Sequence, residues 1–260
     1  VKAANPEAKL VVGGVAADWF TDEGGPFNRD FVDDLLSYCR DKDCFDVWNY
    51  HYYPGTTWDD YGVGIIGKTN YFRQKLAEYG MGGMEIICTE TGNNGTEQWG
   101  GDEQQSRYVV KAFVRGAAAR LPIVIWYTNT DKINTDLRPG LLDEYFQPKP
   151  SHTALDAVAG MISGATFVQT MSTAQTGSPH IEGYTFTKLD GRRLDVLWTE
   201  DDSRYIPDDN PAVPFYALAS SVKVTDKFGQ WSAVINDGDD GTVDGRVRIV
   251  VTGSPLFIEY

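Results

Sequence analysis

MEIICTETGNNG, Met84–Gly95, is the stretch that decides how this chain is read. A short apolar run, Ile86-Ile87-Cys88, rises to a threonine and a glutamate and then breaks into glycine and asparagine, which is how a buried strand ends at a loop. Side chains alternate along a strand, so Ile86, Cys88 and Glu90 are expected to share one face, with Glu90 at its rim. In a barrel of parallel strands that rim is the usual place for catalysis. A lone glutamate at a strand end also fits plain exposure to water, so its neighbours decide between the two.

Working outward from Glu90, strand and helix patterns alternate. AKLVVGGVA (Ala8–Ala16) reads as an apolar strand, and Asn28 to Arg40 carries Phe31, Leu35, Leu36 and Cys39 at helical spacing, with Asn28 as the expected N-cap. FDVWNYHYY (Phe45–Tyr53) is the next strand. A long loop is expected after it, then a helix over Tyr71 to Tyr79 that ends at Gly80. Asp102, with Gln105 three residues on, is placed as the cap of a helix whose stripe is Val109, Val110, Phe113, Val114 and Ala117. PIVIWYT (Pro122–Thr128) follows as a strand and Ser151 to Ser163 as a helix. Apolar strands separated by helices imply a parallel sheet.

Beyond Ala165 only strands are expected. YTFTKLDGRRLDVLWTE, Tyr184–Glu200, is a hairpin turning at Asp190-Gly191, and two further β-rich stretches complete an antiparallel region. The boundary is set near residue 165, giving residues 1–164 and 165–260.

Composition narrows the partners. The chain has 260 residues, 42% of them hydrophobic, and a formal net charge of -14. With no basic cluster longer than Arg192-Arg193, nucleic acid and anionic membranes are disfavoured as partners. No apolar run reaches the roughly 18 to 20 residues of a membrane span. Aromatic residues make up 13% of the chain, with 7 Trp and 14 Tyr, and many fall at strand ends, where flat faces suit sugar rings as well as cores. Cys39 and Cys44 are close enough to pair, Cys88 reads as buried, and the compartment stays open, leaning to an extracytoplasmic one. VKAANPEAK reads as the end of a surface helix, so the chain is expected to begin inside a larger protein.

NPEAKLVVGG, His51-Tyr52-Tyr53, Thr89-Glu90-Thr91-Gly92, Trp126, YFQPKPSHTALDAVAGMISGA and the terminal GSPLFIEY, in that order, resemble the C-terminal half of a clan A glycoside hydrolase, a (β/α)8 TIM barrel followed by an antiparallel β-sandwich. The chain is similar to the family of β-xylosidases and α-iduronidases over nearly its whole length. The resemblance implies a retaining glycosidase acting on an oligo- or polysaccharide, with Glu90 as nucleophile, Tyr53 or His51 bonded to it or to a sugar hydroxyl, and Trp126 as a platform under the sugar. It implies no cofactor and no metal.

One part of the family pattern is missing. The acid that protonates the leaving oxygen follows an Asn at the end of barrel strand four, and that strand is not here. Its residue is expected upstream of Val1, so the missing N-terminal half of the barrel is a partner to consider. Asp18 and Asp131 are the other carboxylates just past strand ends. A non-catalytic carbohydrate-binding or structural role remains the alternative.

Two competing motifs are weighed. Gly62 to Thr69 matches the phosphate-loop pattern G-x-x-x-x-G-K-S/T, but PGTTWDDY separates it from the preceding strand, so an accidental match in a loop is expected. NDGDDGTVDG, Asn236–Gly245, has the oxygen density of a calcium loop without EF-hand spacing, and a solvated turn is expected. The three histidines, His51, His152 and His180, are too scattered to suggest a zinc site.

Overall fold

The computed structural model describes residues 1–54, 60–199 and 212–260. Most of the loop after Tyr53, and Glu200 at the end of the expected hairpin, lie outside them. The fold is mixed α/β and divides into two compact units: Val1–Thr91 with Ala119–Trp126, and Gly92–Ala118 with Tyr127–Tyr260.

The first unit is built on three parallel strands in the order β1 (Val47–Tyr52), β2 (Glu85–Thr91) and β3 (Val124–Trp126). Trp48 and Tyr50 of β1 are fully buried, and their neighbours Val47 and Asn49 are buried as well, the mark of a strand covered on both faces. The expected strand over Ala8–Ala16 is realised only as two parallel bridges to β1, Val11 to Val47 and Val15 to Tyr50. Gly13-Gly14 interrupts it, since glycine gives a strand no side chain to pack and a larger entropy to lose.

Helix α1 spans Phe31–Cys39 and buries Val32, Leu36 and Cys39. Asn28 is not its N-cap: the cap is Asp30, and the Asn28 side chain accepts from the Asp30 N–H instead. Cys39 and Cys44 form a disulfide just past its end. Helix α2 covers Gly64–Glu78, seven residues earlier than expected. Ile65, Thr69, Phe72 and Leu76 give it a buried stripe, with Phe72 centred 5.2 Å from both Trp48 and Tyr50. Gly80 follows with φ 78°, a left-handed conformation that suits glycine after a helix.

In the second unit, α3 (Gly101–Ala118) packs on α4 (Pro150–Ile162). Asp102 lies inside the first turn of α3 and is not its cap. The strands that follow are β4 (Thr166–Thr170), β5 (Ile181–Thr187), β6 (Arg193–Thr199), β7 (Val213–Leu218), β8 (Ser221–Asp226), β9 (Ser232–Asn236), β10 (Arg246–Val251) and β11 (Leu256–Glu259). Six form an antiparallel sheet in the order β4-β5-β6-β11-β8-β9, while β7 and β10 pair separately. The turn between β5 and β6 closes at Gly191, φ 84°, where Asp190-Gly191 predicts it.

One apolar cluster draws on both sheets, including Leu197, Phe215, Val224, Ile249 and Ile258. Beside β5 a buried charge cluster is fully paired: the Arg115 guanidinium grips Glu182 with bonds of 2.8 and 2.6 Å, and Tyr184 and Trp198 donate to the same carboxylate. Among the described residues no helix is long and apolar enough to cross a membrane.

Candidate active site

Parallel strands end on one side of their sheet, so the ends of β1 and β2 bring together side chains about 40 residues apart. The Tyr53 hydroxyl donates to Glu90 Oε2 at 2.8 Å, and His51 Nδ1 lies 3.1 Å from the same oxygen. Among the described residues the other oxygen, Oε1, accepts no hydrogen bond. Glu90 and His51 each keep about a third of the side chain exposed, at 30% and 29%, so the carboxylate is open to a ligand.

The pairing register explains how the ring is held. Tyr50 pairs with Cys88 but His51 with Glu90, so Thr89 is an extra residue in β2. A bulge of this kind re-aims side chains and breaks strict alternation, including the face that Cys88 and Glu90 were expected to share. As a result consecutive residues address one imidazole. Thr89 Oγ1 sits 3.4 Å from His51 Nε2, while Glu90 meets Nδ1. Thr89 is anchored in turn, its hydroxyl and its N–H both donating to Oδ1 of buried Asn49 at 2.8 and 3.2 Å. Behind the ring stands Gly14, where an added Cβ would fall on the imidazole itself.

Trp126, the fourth expected site residue, is on β3 opposite Thr91 and only 8% exposed. The structure therefore gathers Glu90, His51 and Tyr53 at one point and encloses Trp126 beside them in the sheet. Cys88 is no rival nucleophile: burial pushes its thiol up to about 12, and it donates to the backbone carbonyl of Glu90.

The remaining strand-end carboxylates are both committed. Asp18 Oδ2 is 2.6 Å from the ammonium of Lys68, a residue with no exposed surface. Asp131 is buried, accepts from the Gly140 N–H at 2.6 Å and pairs with Lys149 at 3.1 Å. Lys68 is also the lysine of the phosphate-loop match. It is buried near the start of α2, Thr69 is buried and bonded to Tyr50, and the helix begins inside the pattern at Gly64, so no phosphate cradle forms. In the acidic turn, Asp237, Asp239 and Asp240 accept from their own loop's N–H groups.

Sequence reasoning passed over Gly14, Asn49 and Thr89. A polar residue inside the apolar run FDVWNYHYY was the available signal for Asn49, since a buried amide needs partners.

Among solved structures, this fold recurs in glycoside hydrolases. A family 39 glycoside hydrolase from Bacteroides cellulosilyticus superposes with a TM-score of 0.70 at 21% identity, covering 99% of this chain and 52% of that one. A glucosidase from Croceicoccus marinus gives 0.62 at 11% identity, covering 100% and 61%. A 4-O-α-L-rhamnosyl-β-D-glucuronidase from Fusarium oxysporum gives 0.53 at 13% identity, covering 82% and 53%. The chain thus spans about half the length of the structures it matches. No known family model matches it, and neither does any curated protein. Identities this low establish a shared fold and leave the chemistry to be argued from the site.

Proposed function

We propose that this chain is the C-terminal portion of a retaining glycoside hydrolase. In this reading residues 1–164 belong to a (β/α)8 barrel, residues 165–260 form a β-sandwich domain, and Glu90 is the nucleophile. The observation that carries it is the convergence of Tyr53 and His51 on Oε2 of Glu90, which leaves Oε1 open at the end of a parallel strand.

Oε1 attacks the anomeric carbon, the glycosidic C–O bond breaks, and a glycosyl ester forms. Water then attacks the same carbon and the carboxylate departs, so configuration is retained. Tyr53 and His51 aim the carboxylate. The leaving oxygen needs a proton from a second carboxyl roughly 5 Å away. Asp18 and Asp131 are occupied with lysines, so that acid comes from polypeptide upstream of Val1, the half that completes the barrel. Trp126 is the sugar platform in this reading, and the disulfide suits an oxidising, extracytoplasmic setting.

An activated 2-deoxy-2-fluoro glycoside with a dinitrophenolate leaving group needs no acid and tests the nucleophile directly. Mass spectrometry of the complete protein should find the sugar ester on the peptide carrying Glu90. In that protein Glu90→Ala should abolish turnover, and azide should restore a product of inverted configuration. An ester on another carboxylate would overturn the assignment. The second reading, a non-catalytic carbohydrate-binding portion, is favoured by the engagement of both Asp18 and Asp131. It predicts that the complete protein binds sugar without forming an ester.

A further inference from the structure

The extra residue in β2 decides which way Glu90 faces. Tyr50 and His51 are consecutive on β1, yet Thr89 separates their partners Cys88 and Glu90. On the other side a single residue of β3, Ile125, stands between the partners of Cys88 and Thr91, where β2 has two. Thr89 is therefore an insertion relative to both neighbouring strands. In an unbroken ladder the pairing of Tyr50 with Cys88 would set His51 against Thr89 and Tyr52 against Glu90, because a shift of one residue turns each later side chain to the other face. Tyr52 is buried and alternates with Trp48 and Tyr50, both of which pack on Phe72 of α2. Glu90 would then point into the apolar layer between sheet and helix, and the bulge turns it to the face of His51 instead.

Bulges are rare in parallel sheets, and each leaves ladder groups in need of partners. The Cys88 N–H donates to the carbonyl of Ile123 beside β3, so the next N–H, that of Thr89, is directed back toward β1. There it meets a side chain: Oδ1 of Asn49 accepts it at 3.2 Å and accepts the Thr89 hydroxyl at 2.8 Å. A backbone N–H can only donate, so the Asn49 atom facing it is the oxygen and the amide has one orientation. Asn49 is itself buried, two residues before His51 and on the same face of β1.

We propose that Asn49 is a positioning residue for Glu90: its amide oxygen stands in for a ladder carbonyl at the bulge, and by holding Thr89 in place it keeps Glu90 within reach of His51 and Tyr53. The inference rests on the reading of Glu90 as nucleophile. Asn49 acts through Thr89, whose two donors it takes on one atom, and it is needed only because β2 carries the insertion. A leucine at position 49 has similar volume and no acceptor, so it would leave an N–H and a hydroxyl of the sheet without their partner.

The test begins with nuclear magnetic resonance of the 260-residue chain, where no turnover is needed. In the unaltered chain the Thr89 amide should exchange with solvent as slowly as that of Cys88, and the His51 ring should show magnetisation transfer to the Glu90 side chain. Asn49→Leu should speed Thr89 exchange about tenfold, the worth of one hydrogen bond, and abolish the transfer. Deleting Thr89 as well gives β2 the length of its neighbours and sets Glu90 opposite His51 in a plain ladder, so this double variant should regain the transfer without Asn49. In the complete protein Asn49→Leu should lower kcat about a hundredfold with KM little changed, and the deletion should recover most of the loss. A Thr89 amide that exchanges like an open loop amide in the unaltered chain overturns the proposal even if no variant folds. So does Asn49→Leu with the transfer intact, a double variant without it, or a fall in melting temperature with kcat unchanged. The exchange and transfer measurements do not involve the chemistry of Glu90, so a failure of this proposal is told apart from a failure of the ester-trapping experiment.

Discussion

Asp18→Asn is expected to destabilise the first unit far more than Lys68→Met, although both break the same 2.6 Å ion pair. The asymmetry follows from exposure, 0% for the lysine side chain and 19% for the aspartate. Neutralising Asp18 takes a carboxylate away from a buried ammonium, and breaking a buried pair in this way costs about 3–5 kcal/mol. Lys68→Met removes the buried charge itself, keeps most of the side-chain volume and leaves a carboxylate that water can reach, so its cost should stay below about 1.5 kcal/mol. The double variant should resemble Lys68→Met alone, since the buried ammonium is then gone.

Burial pulls the Lys68 ammonium below its ordinary value of 10.5, and the Asp18 charge opposes that pull. In Asp18→Asn the folded-state lysine should therefore lose its proton at a lower pH than the unfolded one. Where the unfolded state binds more protons, stability rises with pH, so the deficit should shrink as pH climbs toward 10.5. Urea unfolding of the three variants, followed by tryptophan fluorescence across that range, measures this. Equal losses for the two single variants, or a deficit that grows with pH, would refute the account.

Gly14→Ala should push the imidazole off Glu90, shifting the His51 ring resonances and lowering turnover of the complete protein by at least about tenfold, because misplacing a positioning group by an ångström can cost about a hundredfold. Wild-type resonances in this variant would show that the ring is seated by other contacts. The Cys39–Cys44 disulfide closes a loop of only five residues' separation, so on its reduction stability should fall by about 2 kcal/mol at most, read as a lower melting temperature in reductant. Glu182 is buried, which alone would raise its pKa, but Arg115, Tyr184 and Lys111 together hold it below the ordinary 4.5. Its contribution is therefore present above about pH 4.5 and lost as pH falls through the lower folded value. Glu182→Gln should weaken the protein at neutral pH and flatten its acid unfolding curve, and an unchanged acid limb would count against this.

How much of this was legible in the sequence depended on whether the signal was local. The end of β2 at Glu90 could be read from the apolar run and the glycines after it, and the end of β1 from His51-Tyr52-Tyr53. The start of α2 was hidden by glycines: Gly62, Gly64 and Gly67 read as a loop, yet Ile65 and Thr69 already carry the stripe that Phe72 and Leu76 continue. Packing overrode propensity there. The bulge at Thr89 belongs to the pairing of two strands and leaves no trace in either one alone. Lys68 and Asp18 are 50 residues apart, and nothing short of the folded sheet shows that the lysine of an apparent phosphate loop is the partner of a strand-end aspartate.

Tyr53 and His51 both meet the same oxygen of Glu90. A carboxylate in water has two interchangeable oxygens, related by a half-turn of the group. Here that half-turn would break the Tyr53 bond, so the two atoms acquire separate fates. In the proposed cycle Oε1 becomes the ester oxygen and Oε2 the ester carbonyl, still facing the phenol. A neutral carbonyl is a weaker acceptor than a carboxylate, so the Tyr53 bond loosens when the sugar is captured and tightens when it is released. In that proposed cycle the phenol would make Glu90 a better leaving group, with its greatest help falling on the second half of the reaction.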